Sequence, residues 1–254
     1  MVKMLPILGR RALSVVAALL LWWLLSYLAG TFVVPTPWTV LKVFFSILLE
    51  KETAYHVSLT LMRLITGFLL AEGIGLLLGT LMGLRRQFEN ILDIWMVIGL
   101  TIPGLSWALV SLMLFGLKEI ALILAIAVTT FPVITVNIWA GVKNVDTKVV
   151  EMARVFRVSK GEAIRKVIFP QIVPYIFSSS RYGIGIAWKV AVVVELMGAT
   201  SGVGYMLNYW FGLFSMRHVL AWTIYLVLVM LVMEFGIIRI LEARALRWKP
   251  QVVF

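Results

Sequence analysis

Residues 59–84 read LTLMRLITGFLLAEGIGLLLGTLMGL and are followed at once by Arg85 and Arg86. A helix needs roughly 20 apolar residues to cross a bilayer core. This run is long enough, and Arg63 and Glu72 are its sole ionisable residues. The arginine pair that closes it places that end on the cytoplasmic side, because loops there carry an excess of Lys and Arg. Gly75, Gly79 and Gly83 recur every four residues, with Gly67 and Gly73 nearby. Small residues at that spacing let two helix backbones approach closely, within one subunit or between two.

The same reading extends outward in both directions. Lys3, Arg10 and Arg11 precede an apolar run from about Ala12 to Val34, read as a first span rather than a signal peptide because it is long and lacks a cleavage site. Pro35 and Pro37 stop it, since proline removes a donor and restricts the residue before it. Trp38–Leu49 is too short to span and is expected along the outer interface. A third span is expected over Ile91–Phe115, interrupted at Pro103-Gly104, and a fourth over Ile120–Val142 after the outer turn Leu117-Lys118-Glu119. Val173–Met197 and Val219–Leu241 supply the fifth and sixth, separated by an outer segment, Gly198–Met216. Arg239, Arg244, Arg247 and Lys249 put the C-terminus inside. The predicted fold is all-α: a polytopic membrane protein with six spans and both termini cytoplasmic, a single transmembrane domain over residues 1–254.

Composition agrees. Of 254 residues, 62% are hydrophobic and 14% charged, and the mean hydropathy is +1.01. Soluble domains are nearer half apolar and one quarter charged, so a water-soluble, disordered or fibrous chain is excluded. The net charge of +11 would suggest nucleic acid in a soluble protein. Here the basic residues cluster between apolar runs, which is membrane topology, and no nucleic-acid partner is expected. With no cysteine and two histidines, His56 and His218, thiolate chemistry is excluded and no metal site is expected.

Ionisable residues within the apolar runs each cost roughly 2.5–3.5 kcal/mol at mid-membrane and must face protein or a water-filled cavity. Glu72, Arg181, Lys189, Glu195 and Glu234 are of this kind. Arg181 and Glu234, near the cytoplasmic ends, read as interhelical ion pairs. Lys189 and Glu195 lie about 120° apart on one helix, so each requires a partner elsewhere. An anionic cargo would need positive groups that are not already neutralised. Arg63, Arg181 and Lys189, with Glu195, are therefore the candidates for a substrate path, although a Lys189–Glu72 pair would explain the lysine equally.

The longest polar stretch, Lys143–Pro170, holds seven basic and three acidic residues. Val149, Met152, Ala153 and Phe156 recur at helical spacing, giving an amphipathic helix that offers an apolar face. Val158-Ser159-Lys160-Gly161-Glu162 interrupts it. Ser159 with Glu162 three residues on is a capping box for a second short helix, which Pro170 is expected to end.

This segment resembles the cytoplasmic signature of ATP-binding-cassette importer permeases: Glu-Ala-Ala, three residues, Gly, nine residues, then Ile-x-Leu-Pro. Glu151 and Ala153 open it and Ile168-Phe169-Pro170 closes it, at the right overall spacing. Met152 replaces the first alanine, Phe169 the leucine, and Arg157 stands at the glycine. An arginine with positive φ there would carry strain of about 1–3 kcal/mol; otherwise the turn differs. Further stretches are similar to the sulfonate, taurine and nitrate branch. They are Pro35-Thr36-Pro37-Trp38, His56–Gly67 with Ser58 and Arg63, Ile102–Trp107, Ala140–Asp146, Gly198–Tyr205 and the tail Arg247-Trp248.

The resemblance covers nearly the whole chain. It implies a permease of the bacterial cytoplasmic membrane, pairing as a homodimer in the lipid bilayer and passing a small anionic solute. A substrate-binding protein would deliver the solute outside. An ATP-binding subunit would dock inside on Glu151, Met152, Ala153, Phe156, Arg157, Gly161, Ile168 and Pro170. ATP and Mg belong to that subunit, and this chain is expected to hold no cofactor. It has no Gly-x-x-x-x-Gly-Lys-Ser/Thr loop and is not expected to be an enzyme. Two alternatives remain from the residues alone. A carrier driven by an ion gradient could use Glu72 and Glu195 as proton sites, but carriers show repeat symmetry that is not evident here. An intramembrane enzyme would need a nucleophile or metal constellation that two separated histidines and no cysteine supply poorly.

Overall fold

The structure, a computed structural model, describes residues 5–245. Lys3, Arg247, Trp248 and Lys249 lie outside the described residues. The described residues form helices joined by short connections, without a strand. In order they form α1 (Leu5–Ala29), α2 (Pro37–Leu48), α3 (Lys51–Leu84), α4 (Arg86–Thr101), α5 (Gly104–Phe115) and α6 (Glu119–Lys143). There follow α7 (Thr147–Val155), α8 (Lys160–Ala163), α9 (Phe169–Gly198), α10 (Val203–Gly212), α11 (Met216–Leu231) and α12 (Arg239–Ala245). Two π-helical stretches, Ile164–Ile168 and Val232–Ile238, join α8 to α9 and α11 to α12.

Four helices are long and apolar enough to cross a membrane: Ala12–Ala29 in α1, α3, α6, and Met216–Gly236. Two bent pairs raise the number to six if each is one span. These are α4 with α5, at 98°, and Lys160–Gly198 with α10, at 48°.

The centre is α3 against α6, running parallel, with α9 antiparallel across them. The glycine stripe explains the closeness. A Cβ on Gly75 would lie 2.5 Å from Ile134 Cγ2, and one on Gly79 would lie 2.6 Å from the Thr135 carbonyl oxygen. Gly67 and Gly83 meet Ile126 and Val142 in the same way. The stripe thus faces another helix of the same chain. Around it Leu64, Phe68, Ile126, Ile134, Ile138, Trp188 and Ala191 form the main buried cluster. The short α2 starts at Pro37 with Thr36 as its cap, whose hydroxyl accepts from the Thr39 N–H at 3.3 Å. It buries Val40, Phe44 and Ile47 against Val203, Met206 and Trp222.

Two sequence expectations change and a third is sharpened. The Pro103-Gly104 interruption is where the expected break falls, and its sharpness, 98° between α4 and α5, is what the sequence did not indicate. Ile102, held extended by the proline after it (ψ 124°), sets that turn. The outer segment Gly198–Met216 contains a helix, α10. Pro170 does not end the second short helix, because helical backbone continues from Lys160 to Gly198. A proline inside an α-helix removes an N–H and crowds the carbonyl four residues back. Here the wider π turn Ile164–Ile168 lies immediately ahead of Pro170, which occupies the first turn of α9, where a missing N–H is tolerated.

Candidate functional site

Three places carry the chemistry singled out above, and the fold separates them. The first is the end of the bundle where α6 gives way to α7. Asp146 caps α7, its carboxylate accepting from the Lys148 N–H at 2.9 Å, and its own N–H donates to Gln171 Oε1 at 2.8 Å. At the far end of α7 the Arg157 N–H donates to the Arg154 carbonyl at 2.9 Å and the Val158 N–H to the Ala153 carbonyl at 3.0 Å. That pair of bonds is a Schellman cap, which needs a left-handed residue at its turn. Arg157 supplies it with φ 55°. The turn therefore keeps the shape a glycine would take, and arginine bears the strain.

Ser159 caps the next helix, accepting from the Glu162 N–H at 3.3 Å while its hydroxyl donates to Glu162 Oε2 at 3.2 Å. A 2.9 Å bond from Lys166 holds the exposed Glu162 carboxyl below the usual carboxylate range. Met152, Val155, Phe156 and Ile164 are exposed, Phe156 by 74%, among exposed Glu151, Arg154, Arg157, Lys160, Gly161 and Arg165. Ile168 and Pro170 are half-buried. Ala153 departs from the expected outward face: it is 6% exposed, and α7 packs against the chain's own Ile164–Ile168 stretch. One helical step of 100° from Met152 is enough to turn it inward.

At the opposite end of α3 and α6 lies a buried charge cluster. Arg63 is 1% exposed and all five of its N–H groups are used. Nε and Nη2 donate to the two oxygens of Glu119, each at 2.6 Å. Nη1 donates to Glu195 Oε1 at 2.7 Å and to the Ser201 carbonyl at 2.7 Å, and Nη2 also reaches the Ser201 hydroxyl at 2.9 Å. Glu195 is held from its other side by the Thr60 hydroxyl at 2.8 Å and the Gly204 N–H at 3.0 Å. Thr60 in turn accepts from the Val203 N–H, and His56 Nδ1 from the Gly202 N–H. Gly202, at φ 111°, leaves no room for a Cβ beside the Glu195 carboxylate. The bidentate pair with Glu119 meets solvent on the acid's side, whereas the single charge-assisted bond to Glu195 is fully buried.

The third place is the exposed face of α9 at Lys189. Lys189 has no acid partner among the described residues and borders two cavities. One, of about 260 Å³, is lined by Gly104, Leu105, Thr129 and Val193. The other, of about 360 Å³, is lined by Ser178, Arg181, Tyr182 and Met230. Arg181 itself is paired, to Glu234 at 2.6 Å and to Glu242 at 3.4 Å. Glu72 accepts from the Ser180 hydroxyl at 2.9 Å and does not meet Lys189.

Of the four path candidates, then, the fold joins Arg63 to Glu195, commits Arg181 to the last helices, and leaves Lys189 unpaired. Sequence reasoning missed Glu119, Thr60, His56 and Ser201 as partners. Glu119 opens an apolar helix from what reads as a polar turn, and a Gly-x-Gly beside a buried acid is a signal, but neither points to Arg63.

The described residues thus offer four to six apolar segments long enough to span, with ion pairs at Arg63 and Arg181 and an unpaired Lys189 beside two cavities, the make-up of a multi-pass membrane protein. Residues 71–247 match the family model for binding-protein-dependent transport system inner membrane components, and the chain belongs to that family. It is 35% identical over 217 residues to a protein of Bacillus subtilis described as an aliphatic sulfonates transport permease, covering 85% of this chain and 78% of that one. It is 32% identical over 241 residues to an ABC transporter permease of Methanocaldococcus jannaschii, covering 92% and 90%. A nitrate import permease of Synechococcus elongatus is 30% identical over 158 residues, covering 62% and 57%. The chain is thus the permease component of an ABC importer rather than an enzyme.

Proposed function

We propose that this permease passes a small anion, of the sulfonate, nitrate or bicarbonate kind, along a path that Lys189 lines. The observation that carries the cargo's sign is that Lys189, unlike Arg63 and Arg181, has no acid partner among the described residues and stands between two cavities. An uncompensated cation in a span is costly unless it is used. The relatives named for sulfonates and nitrate support the same class. Lys189→Met keeps length and removes charge. Anion uptake should fall at least about tenfold, the loss of one charge-assisted contact, while the complex still assembles. Unchanged uptake removes Lys189 from the path.

In this reading both bent pairs count as spans, giving six, and the α7 end is cytoplasmic. Arg85, Arg86, Lys143, Lys148, Arg154, Arg157, Lys160, Arg165 and Lys166 gather there, which supports that sidedness and cytoplasmic termini. The whole chain, 1–254, is one permease domain of a bacterial cytoplasmic membrane, with residues 143–170 as the coupling segment. Two copies pair in the bilayer, an ATP-binding subunit carrying ATP and Mg docks on the coupling segment, and a substrate-binding protein docks at the Arg63 end. Cysteines placed at exposed Lys160 and Arg217 test the sidedness in a chain with no native cysteine. Labelling of the first from inside and the second from outside is expected, and the reverse overturns it.

A further inference from the structure

The Arg63 cluster does more than bury a charge, because its two acids are held differently. Glu195 is 1% exposed and enclosed by Thr60, Gly202 and Gly204. Its removal from Arg63 would strand the buried Glu195 charge, whose one cationic partner among the described residues is Arg63. The Glu119 side chain is 53% exposed, so water can replace its contact. The charge balance points the same way. Arg63, Glu119 and Glu195 together carry one excess negative charge, whereas Arg63 with Glu195 alone is neutral. On release of Glu119, Arg63 keeps its bonds to Glu195, to the Ser201 carbonyl and to the Ser201 hydroxyl. Two N–H groups are left for water. Gly116, at φ 69° with open space around it, joins α5 to the start of α6, and Glu119 lies ahead of the first buried residues of that helix, Ala121 and Leu122.

We propose that Arg63 and Glu119 form a releasable latch between α3 and the start of α6, closing the outer end of the path, and that Glu119 is thereby a positioning residue for transport. Arg63, Glu195 and the loop Ser201–Gly204 are the fixed half, and Glu119 is the moving half. This rests on the reading of the chain as an importer that opens alternately outward and inward.

The test uses the full transporter with its ATPase subunits in lipid nanodiscs. Spin labels on Ser58→Cys and Leu117→Cys, both exposed, one on α3 and one two residues ahead of Glu119, report the outer opening. Glu119→Gln should lengthen and broaden that distance and raise ATP hydrolysis without binding protein by about two- to fivefold, the scale of one solvent-reachable ion pair. Glu119→Asp should return both readouts toward wild type. Unchanged distances and rates in a normally assembled Glu119→Gln complex overturn the latch. So does failure of that variant to assemble, which would make the pair a structural brace. A wild-type chain that recruits no ATPase subunit overturns the importer reading instead, while the label distances still decide the latch.

Discussion

Arg63 and Glu195, 132 positions apart in the chain, meet at 2.7 Å with neither side chain more than 1% exposed. A buried pair of this kind is weak evidence of net stabilisation, but breaking it from one side is expensive. Removing Arg63 leaves the Glu195 charge uncompensated in a dry site, at about 3–5 kcal/mol, whereas Arg63 without Glu195 still pairs with Glu119. Arg63→Met should therefore lower the thermal transition of the detergent-solubilised chain sharply. The double variant Arg63→Met with Glu195→Ala should recover part of the loss, the signature of coupling in a mutant cycle. Additive losses would show that the pair is not coupled.

A gentler prediction concerns the turn after α7. Arg157 holds φ 55°, where a side chain costs about 1–2 kcal/mol and glycine costs little. Arg157→Gly should preserve the two cap bonds to Arg154 and Ala153 and stabilise the turn by up to about 1 kcal/mol. Hydrogen exchange at the Val158 amide reads this directly: slower exchange is expected. Faster exchange would mean that the arginine side chain, rather than the backbone shape, maintains the turn.

The glycine stripe gives a position-specific contrast. Gly79 faces the Thr135 carbonyl, whereas a Cβ on Gly73 meets nothing within 4 Å. Gly79→Ala forces α3 off α6 and should cost about 1–3 kcal/mol as overpacking. Gly73→Ala should be neutral or slightly stabilising, since alanine loses less backbone entropy in a helix. Equal effects at the two sites would remove the stripe as the α3–α6 contact.

How much of this could be read beforehand follows from the range of each interaction. The apolar runs, the Ser159 cap and the α3 glycine spacing depend on residues within a few positions of one another, so they are visible in the chain. The left-handed turn at Arg157 was legible as a place, because a signature glycine belongs there, though arginine's acceptance of it was not. The Arg63 cluster was opaque. Its partners come from α6, α9 and the loop before α10, and nothing local in Glu119 or Ser201 names residue 63. The continuation through Pro170 was hidden for a subtler reason: one extra residue in the preceding turn changes which carbonyl the proline ring meets, and composition does not record that. Ala153 failed by a single 100° step, since a nine-residue helix has too few turns for periodicity to fix its inner face.

That last error sharpens the docking prediction. The apolar surface left open on the α7 segment is Met152, Val155 and Phe156, fringed by Arg154 and Arg157, while Ala153 packs inward. A charge placed at Phe156 would be buried without a partner when the ATPase subunit closes over it, yet would sit harmlessly in water in the free chain. A charge placed at Ala153 disturbs the segment before any partner arrives. Phe156→Asp should thus abolish co-purification of the ATPase subunit while leaving membrane insertion and thermal stability of the chain unchanged. Ala153→Asp should lower both stability and association. The Phe156→Ala variant separates charge from contact area: losing a large aromatic from an interface centre weakens binding by about 1–3 kcal/mol, a shift in apparent Kd rather than its loss. If Phe156→Asp complexes purify at full stoichiometry and transport normally, this face is not where the ATPase docks.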